Sequence, residues 1–352
     1  MSAVLPSNNT PLDDAQQRSE GVWHAAWRRF KADRVGLVSL WIVLGFVLLI
    51  VLAATGVVAK NWQDEIGVPN APPTFIGPKA STDSATIASP SGPNVDLSDV
   101  DPLAPRYAEW DERAKQYATT ETVKAETLPL GGDRLGRDVL SKTIKGTEIS
   151  VFVGVSAALA ATLIGTLLGA FGGFFGGKVA DFLEWIYNVF ESIPNILLIF
   201  AFAAVLGTGV FSVVIILALT GWTGMYRQVR AEFIKHRGRE YVRSAEAIGA
   251  STSSRMFRHI LPNISHVILV RTGLLTVGFI KIEVILSYLG LGVRVDQVSW
   301  GTMLAEAQSE LILGHWWQLA TATLFMAVFV TAFSLMADAL RDALDPKLRG
   351  LE

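Results

Sequence analysis

The sequence contains no cysteine. That excludes thiol catalysis, disulfides and every zinc site built on thiolates, and it leaves the redox compartment of the soluble parts open. Charge is scarce as well: Lys, Arg, Asp and Glu together make up 18% of the 352 residues, against roughly 25% in an ordinary globular domain. The five histidines (His24, His236, His259, His266 and His315) show no ligand spacing of the H-E-x-x-H kind. The carboxylates show no pairing suited to general acid–base work, so nothing points to an enzyme acting on a covalent bond. A net charge of −2 and a pI near 6.2 give no sign of nucleic-acid binding. The N-terminus does not read as a cleavable signal, because the first long apolar run starts only at Val35, after a mostly polar stretch. The nearest approach to a phosphate-binding loop, Gly172-x4-Gly177-Lys178, has Val179 where a hydroxyl must reach Mg²⁺. A glycine-rich turn is the expectation there, and the chain itself is expected to bind no ATP and no metal. No repeat is evident, nor a pair of interrupted helices of the kind secondary transporters use.

Apolar sequence is what remains. Hydrophobic residues make up 51% and the mean hydropathy is +0.39. They cluster into blocks long enough to cross a bilayer, which takes about 20 residues. The expectation is an all-α membrane protein with six transmembrane helices, at residues 35–58, 150–177, 182–207, 210–226, 264–287 and 316–337. Before them, residues 1–20 read as a disordered tail. Residues 21–34 read as an interfacial amphipathic helix with Trp23, Trp27 and Phe30 at helical spacing, or as a plain basic stop before the first span. The division is thus a tail and interfacial helix at 1–34, a first span at 35–58, a polar insertion at 59–148, a core of five spans at 149–337, and a charged tail at 338–352. Within the insertion, 69–105 reads as irregular loop and 106–126 as a short helix. A cover or docking surface suits it better than a catalytic domain. Small residues in the second span (Gly154, Ala157, Ala158, Gly165 and Gly169) suit close helix packing in lipid, and Pro194 should kink the third.

Residues 227–263 carry eight Lys/Arg (Arg227, Arg230, Lys235, Arg237, Arg239, Arg243, Arg255, Arg258) against Glu232, Glu240 and Glu246. Basic residues near span ends resist translocation, which puts this loop and both termini in the cytoplasm and the long insertion outside. A helix over 240–250 is expected to stop at Gly249-Ala250-Ser251. Ser251 or Thr252 would then cap a second helix that Pro262 ends. The pair is either a docking knob for another protein or an ordinary helix-turn-helix connection.

Arg243-Ser244-Ala245-x3-Gly249-x9-His259-x-Leu261-Pro262 resembles the EAA loop of ABC importer permeases, E-A-A-x3-G-x9-I-x-L-P. Three further segments resemble the "C"-type subunit of dipeptide/oligopeptide permeases: Leu130-Gly131-Gly132-Asp133-Arg134-Leu135-Gly136-Arg137-Asp138, Leu286-Ser287-Tyr288-Leu289-Gly290-Leu291-Gly292 with Ser299-Trp300-Gly301-x-Met303-Leu304, and residues 338–349. The resemblance covers all but the first twenty residues and about 60–127. It implies the type I ABC importer permease fold in a bacterial inner membrane, and a binding protein that delivers peptide from outside. It also implies a homologous second permease, and two ABC ATPase subunits that bind ATP and Mg. Nickel or another non-peptide solute is the alternative cargo. The ATPase-coupling residues implied are Glu240, Tyr241, Ala245, Ala247, Gly249, Ala250 and Ser251. Because Arg243 stands at the motif's glutamate, the contact is expected to rest on Ala245, Ala247 and the Gly249 corner. Arg271, Lys281 and Glu283 in the fifth span, with Glu191 in the third, are candidates for the translocation path. Arg271 either lines that path and pairs with an acid such as Glu191, or snorkels to the lipid headgroups.

Overall fold

A computed structural model describes residues 22–78, 103, 106–116, 124–294 and 296–344. The tail at 1–20, most of the predicted irregular loop and the last eight residues lie outside them. The described residues are helical apart from turns and three isolated bridges.

Helix α1 (Val22–Ala32) and α2 (Arg34–Ala54) are separated by Asp33, whose carboxylate caps α2 by accepting from the Val35 N–H at 2.9 Å. Helix α1 packs against the end of the bundle. Ala26 and Phe30 are buried against Ala339, Ala343 and Leu344 near the C-terminal end of α13 (Trp317–Leu344). Trp27 stays half-exposed, with the Lys31 ammonium 5.2 Å from its ring centre. Helix α2 buries one stripe, Gly36, Ser39, Val43 and Phe46, along α13. Its other faces present Val38, Trp41, Leu48 and Val51 outward. An apolar surface of this kind is tolerable in lipid and not in water.

Two arms of the insertion, residues 60–78 and 124–138, are laced together: the Gly67 N–H donates to Gly136 O, Asn70 N–H to Asp133 O and Thr74 N–H to Leu128 O, each at 2.9 Å. The Gly136 backbone lies at φ +78°, and a Cβ there would sit 2.0 Å from Gly67 O, so only glycine lets the arms meet. Between the arms the predicted helix is present as α3 (Tyr107–Gln116).

Helix α4 (Val139–Phe175) has 37 residues and begins eleven before the predicted span. The apolar run that marks the span starts only after Lys142, Lys145 and Glu148. In the fold, Asp138 caps the helix, Lys142 pairs with Asp133 and Glu306, and Lys145 pairs with Glu148. The boundary at 148 therefore falls inside a helix. The glycine-rich stretch after it is also corrected: Gly172 and Gly173 are helical, and the turn is confined to Gly176 and Gly177. Gly165, Gly169 and Gly173 form a stripe against α8 (Thr223–Arg237), where added Cβ atoms would lie 2.6–2.8 Å from Met225, Tyr226 and Arg230 or its neighbours. This is the close backbone approach that the small residues foretold.

Two helices are interrupted, the first of them at the kink expected from Pro194. Helices α5 (Gly177–Glu191) and α6 (Asn195–Leu206) meet at 87° across the Pro194 break. Helices α7 (Val210–Gly221) and α8 meet at 42° across Trp222. Helix α8 also runs eleven residues into the predicted loop. Short α9 (Glu240–Ala247) and α10 (Thr252–Ser254) follow, then a π-helical turn at Arg255–Ile260 that leads without a break into α11 (Leu261–Tyr288). Pro262 thus sits in the first turn of α11 and does not end a helix. The wide turn before it makes Leu261 N–H bond to Met256 O, five residues back. That shifts the backbone off the i−4 carbonyl which a proline ring would strike. Helix α12 (Trp300–Ile312) and α13 complete the chain.

Helices α2, α4 and α13 are long and apolar enough to cross a membrane, and five crossings result if each bent pair is one. The described chain is an all-helical bundle built round α4. The laced arms lie at one end of α4 and α9 at the other.

Candidate functional site

At the α9 end, Val242 joins a core with Phe174, Phe233, Met256, Ile260 and Ile264. Arg237 donates to Phe174 O at 2.8 Å, and the Arg255 guanidinium reaches both Glu246 and the Phe174 ring. These contacts fix a short helix and its corner as a rigid knob. Gly249 turns the corner at φ +87° with open space around its Cα, and the Ser251 hydroxyl caps α10 by accepting from Ser254 N–H. The predicted cap and glycine corner are both in place.

The knob's outward face differs from the expected one. Ala245 is only 4% exposed and lies beside Val242 on the inner side of α9, three residues along the same face. Ala245 packs α9 against the bundle and is covered within this chain. Glu240, Tyr241 and Ala247 are exposed, as are Gly249 and Ser251, with Ala250 half-buried. The Tyr241 hydroxyl meets His236 Nδ1 at 2.8 Å. The side chain that sequence reasoning passed over is Ile248. It is 87% exposed at the end of α9, just before the glycine corner. A lone isoleucine just before a glycine corner was the signal available.

A second site lies between the helix breaks. A cavity of about 330 Å³ is lined by Glu191 and Asn195 at the α5–α6 break, by Thr223 and Arg227 at the start of α8, and by Arg271 on α11. Arg271 and Glu191, 80 residues apart, therefore face one space, although no ion pair among the described residues joins them. Leu275, Gly278 and Ile282 continue the Arg271 stripe along α11, at spacings of four, seven and eleven that keep one helix face. Lys281 and Glu283 fall off that stripe. Lys281 is exposed on another face, and Glu283 is fully buried, accepting from the Ser287 hydroxyl at 2.7 Å. The structure thus separates the four path candidates into a pair that shares the cavity and a pair that does not.

At the opposite end, Asp133 accepts from Leu135 N–H, Arg137 N–H, Arg137 Nε and Lys142 Nζ at 2.7–3.0 Å. Lys142 also pairs with Glu306, whose carboxylate accepts from Gln318 Nε2. Trp317 Nε1 donates to Gly132 O at 2.7 Å. The Leu130–Asp138 segment is therefore a bolt that fixes the insertion to α4, α12 and α13, and its residues are structural.

Residues 162–350 match the family described as binding-protein-dependent transport system inner membrane component, and residues 21–73 match the N-terminal TM domain of oligopeptide transport permease C. The chain is 37% identical over 252 residues to the oligopeptide transport system permease protein OppC of Bacillus subtilis, covering 70% of this chain and 81% of that one. It is 31% identical over 341 residues to the dipeptide transport system permease protein DppC of the same organism, covering 97% and 91%. A DppC of Lactococcus lactis is 30% identical over 322 residues, covering 92% and 90%. The interrupted helices, the knob and the bolted insertion are thus features of a transport permease subunit, not of an enzyme, and the chain belongs to the family of binding-protein-dependent transport system inner membrane components.

Proposed function

We propose that this chain is one of two membrane subunits of an ATP-driven importer in a bacterial cytoplasmic membrane, and that it passes peptides handed over by an extracytoplasmic binding protein. Family membership supports the importer, and relatives named for oligopeptide and dipeptide transport favour peptide over nickel. Six crossings follow if α11 joins the five others. Its 28 residues extend about 42 Å, against a hydrocarbon core of about 30 Å. Of its charges, Arg271 faces the cavity and Glu283 is buried. Lys281 lies near the far end, where a lysine snorkels. The basic α8–α9 region then lies in the cytoplasm with both termini, and the insertion lies outside as a cover or a seat for the binding protein.

The observation that carries this reading is the rigid knob with Ile248 at its tip. One apolar side chain offered on a fixed helix is the anchor that a groove on a partner can hold. In this reading two ATPase subunits bind ATP and Mg, and one of them seats the knob. Their closure moves α9, and through the α8 and α11 contacts it moves the bundle between two states. Tyr241, Ala247, Ile248 and Gly249 form the contact, with Glu240, Ala250 and Ser251 at its rim. The test is reconstitution with the neighbouring permease, the ATPases and the binding protein. Peptide-loaded binding protein should stimulate ATP hydrolysis in the wild type. Ile248→Asp and Gly249→Trp should abolish the stimulation while the subunits still co-purify. Stimulation that survives both substitutions sinks the coupling role.

A further inference from the structure

We propose that the cavity between the two helix breaks binds the carboxylate of the transported solute, with Arg271 and Arg227 as its anchors. The proposal rests on the import reading above and adds the chemical group that the path recognises.

Charge is the first argument. Two guanidinium groups and one carboxylate, Glu191, face the space, which leaves it one positive charge in excess. The neighbouring acid does not offset this, because Glu184 is already engaged by Arg230 Nε at 3.3 Å and by the Tyr226 hydroxyl at 3.3 Å. Two helices also begin here, α6 at Asn195 and α8 at Thr223, neither with a side-chain cap. Each N-terminus contributes roughly half a positive charge, but α5 ends at Glu191 and α7 at Gly221 beside the same space with the opposite sign. The helix ends therefore offset one another, and the excess rests on the two guanidinium groups.

Arg271 is built to be used. Its Nε is buried and has no hydrogen-bond partner, a condition that native proteins seldom leave unexplained. Its guanidinium lies over the start of α8, where a Cβ on Gly224 would come within 2.6 Å of Nη2. Glycine at 224 is what admits it. A bound carboxylate would supply the missing acceptor through the paired geometry that guanidinium favours.

Size and lining choose among anions. About 330 Å³ is the lower end of ligand cavities, which run from about 300 to 1,000 Å³. It suits one end of a peptide and not its whole length. Leu275, Phe279 and Ile282 give an apolar wall for a terminal side chain. Glu191 opposes a doubly charged phosphate but tolerates a single carboxylate, and would pair with an ammonium of the same solute.

The test uses the assembled transporter in detergent without its binding protein, so that the selectivity of that protein does not enter. Equilibrium dialysis compares trialanine with trialanine amide. In the wild type the acid should bind about tenfold tighter or more. Arg271→Gln should erase the preference, Arg227→Gln should reduce it, and Arg271→Lys should keep part of it. Measurable but equal binding of acid and amide by the wild type overturns the proposal, as does a full preference in Arg271→Gln. Native mass spectrometry of the same samples tests the other source of an anion. A phospholipid held by the wild type and released by Arg271→Gln, with trialanine binding unchanged, also overturns it. Failure of the peptide reading has a separate signature: trialanine does not bind, yet propionate shows Arg271-dependent saturation transfer by NMR. The site then stands and the cargo is another carboxylate. If neither probe depends on Arg271, the site itself is refuted.

Discussion

Asp133 and Lys142 bury an ion pair where α4 meets α12, and both side chains are almost fully shielded. Burial pulls the Asp133 carboxyl upward, but the charge and hydrogen bond of Lys142 and the bonds from Arg137 outweigh it, so its pKa sits below the usual value. A depressed carboxyl stabilises the fold at neutral pH, and that contribution is lost as pH falls through the folded-state value. Asp133→Ala leaves Lys142 with Glu306 alone and removes the acceptor of the Leu135 and Arg137 N–H groups. It should cost about 3–5 kcal/mol, read as a large fall in the thermal midpoint of the detergent-solubilised protein. Glu310 behaves oppositely. Burial raises it to about 6, against the bond from Arg134 N–H and the charge of Lys142. A raised carboxyl favours the folded state below its unfolded pKa near 4.5, and that advantage is lost as pH climbs through about 6. Glu310→Gln keeps an acceptor for Arg134 and removes the buried charge. It should raise the melting temperature at pH 8 and change it little at pH 5; equal shifts at both would refute the assignment. The Asp133 and Arg137 pattern was visible in the sequence as a motif. Its partners Glu306, Glu310 and Gln318 were not, because they lie more than 160 positions away and meet it only through the fold.

Among the elements, α4 and α8 form the tightest pair, and the glycine stripe at 165, 169 and 173 is the reason. Gly169→Leu would drive a side chain into Tyr226 O and Val229. The expected cost is at least about 1–3 kcal/mol from overpacking, seen as reduced thermal stability together with weaker peptide-stimulated ATPase activity, because α8 carries the knob. Helix existence was readable from the apolar runs and the small-residue stripe. Helix ends were not, wherever a charge found a partner: Lys142 extends α4, and the basic face of α8 extends it past Tyr226. Pro262 misled for a related reason. Its usual meaning as a stop holds in an α-helical register, and a π turn removes the clash.

Across the whole molecule, α4 joins two ends with different tasks. The laced arms and the buried ion cluster make one end stiff, while the other presents the knob on packed but short elements. The cavity lies between them, at two helix interruptions. A movement of α8 driven at the knob would alter the spacing of Arg227 and Arg271 directly, because Arg227 lies on α8 and Arg271 on α11. In the proposed scheme coupling and recognition share one helix, so a substitution on α8 should affect both readouts.

The sequence by itself determined that the chain is helical, apolar enough for a membrane and without a motif spaced for covalent chemistry. It also determined the glycine corner at 249 and narrowed the cap to Ser251 or Thr252. These are local properties, set by composition, periodicity and backbone freedom. Only the tertiary structure decided that Ala245 turns inward and Ile248 outward. It also decided that Arg271 shares a cavity with Glu191 while Glu283 does not, and that the insertion is bolted to α12 and α13. The reason is physical. A side chain's face is fixed by the helix it sits on, but what meets that face comes from segments tens to hundreds of residues away.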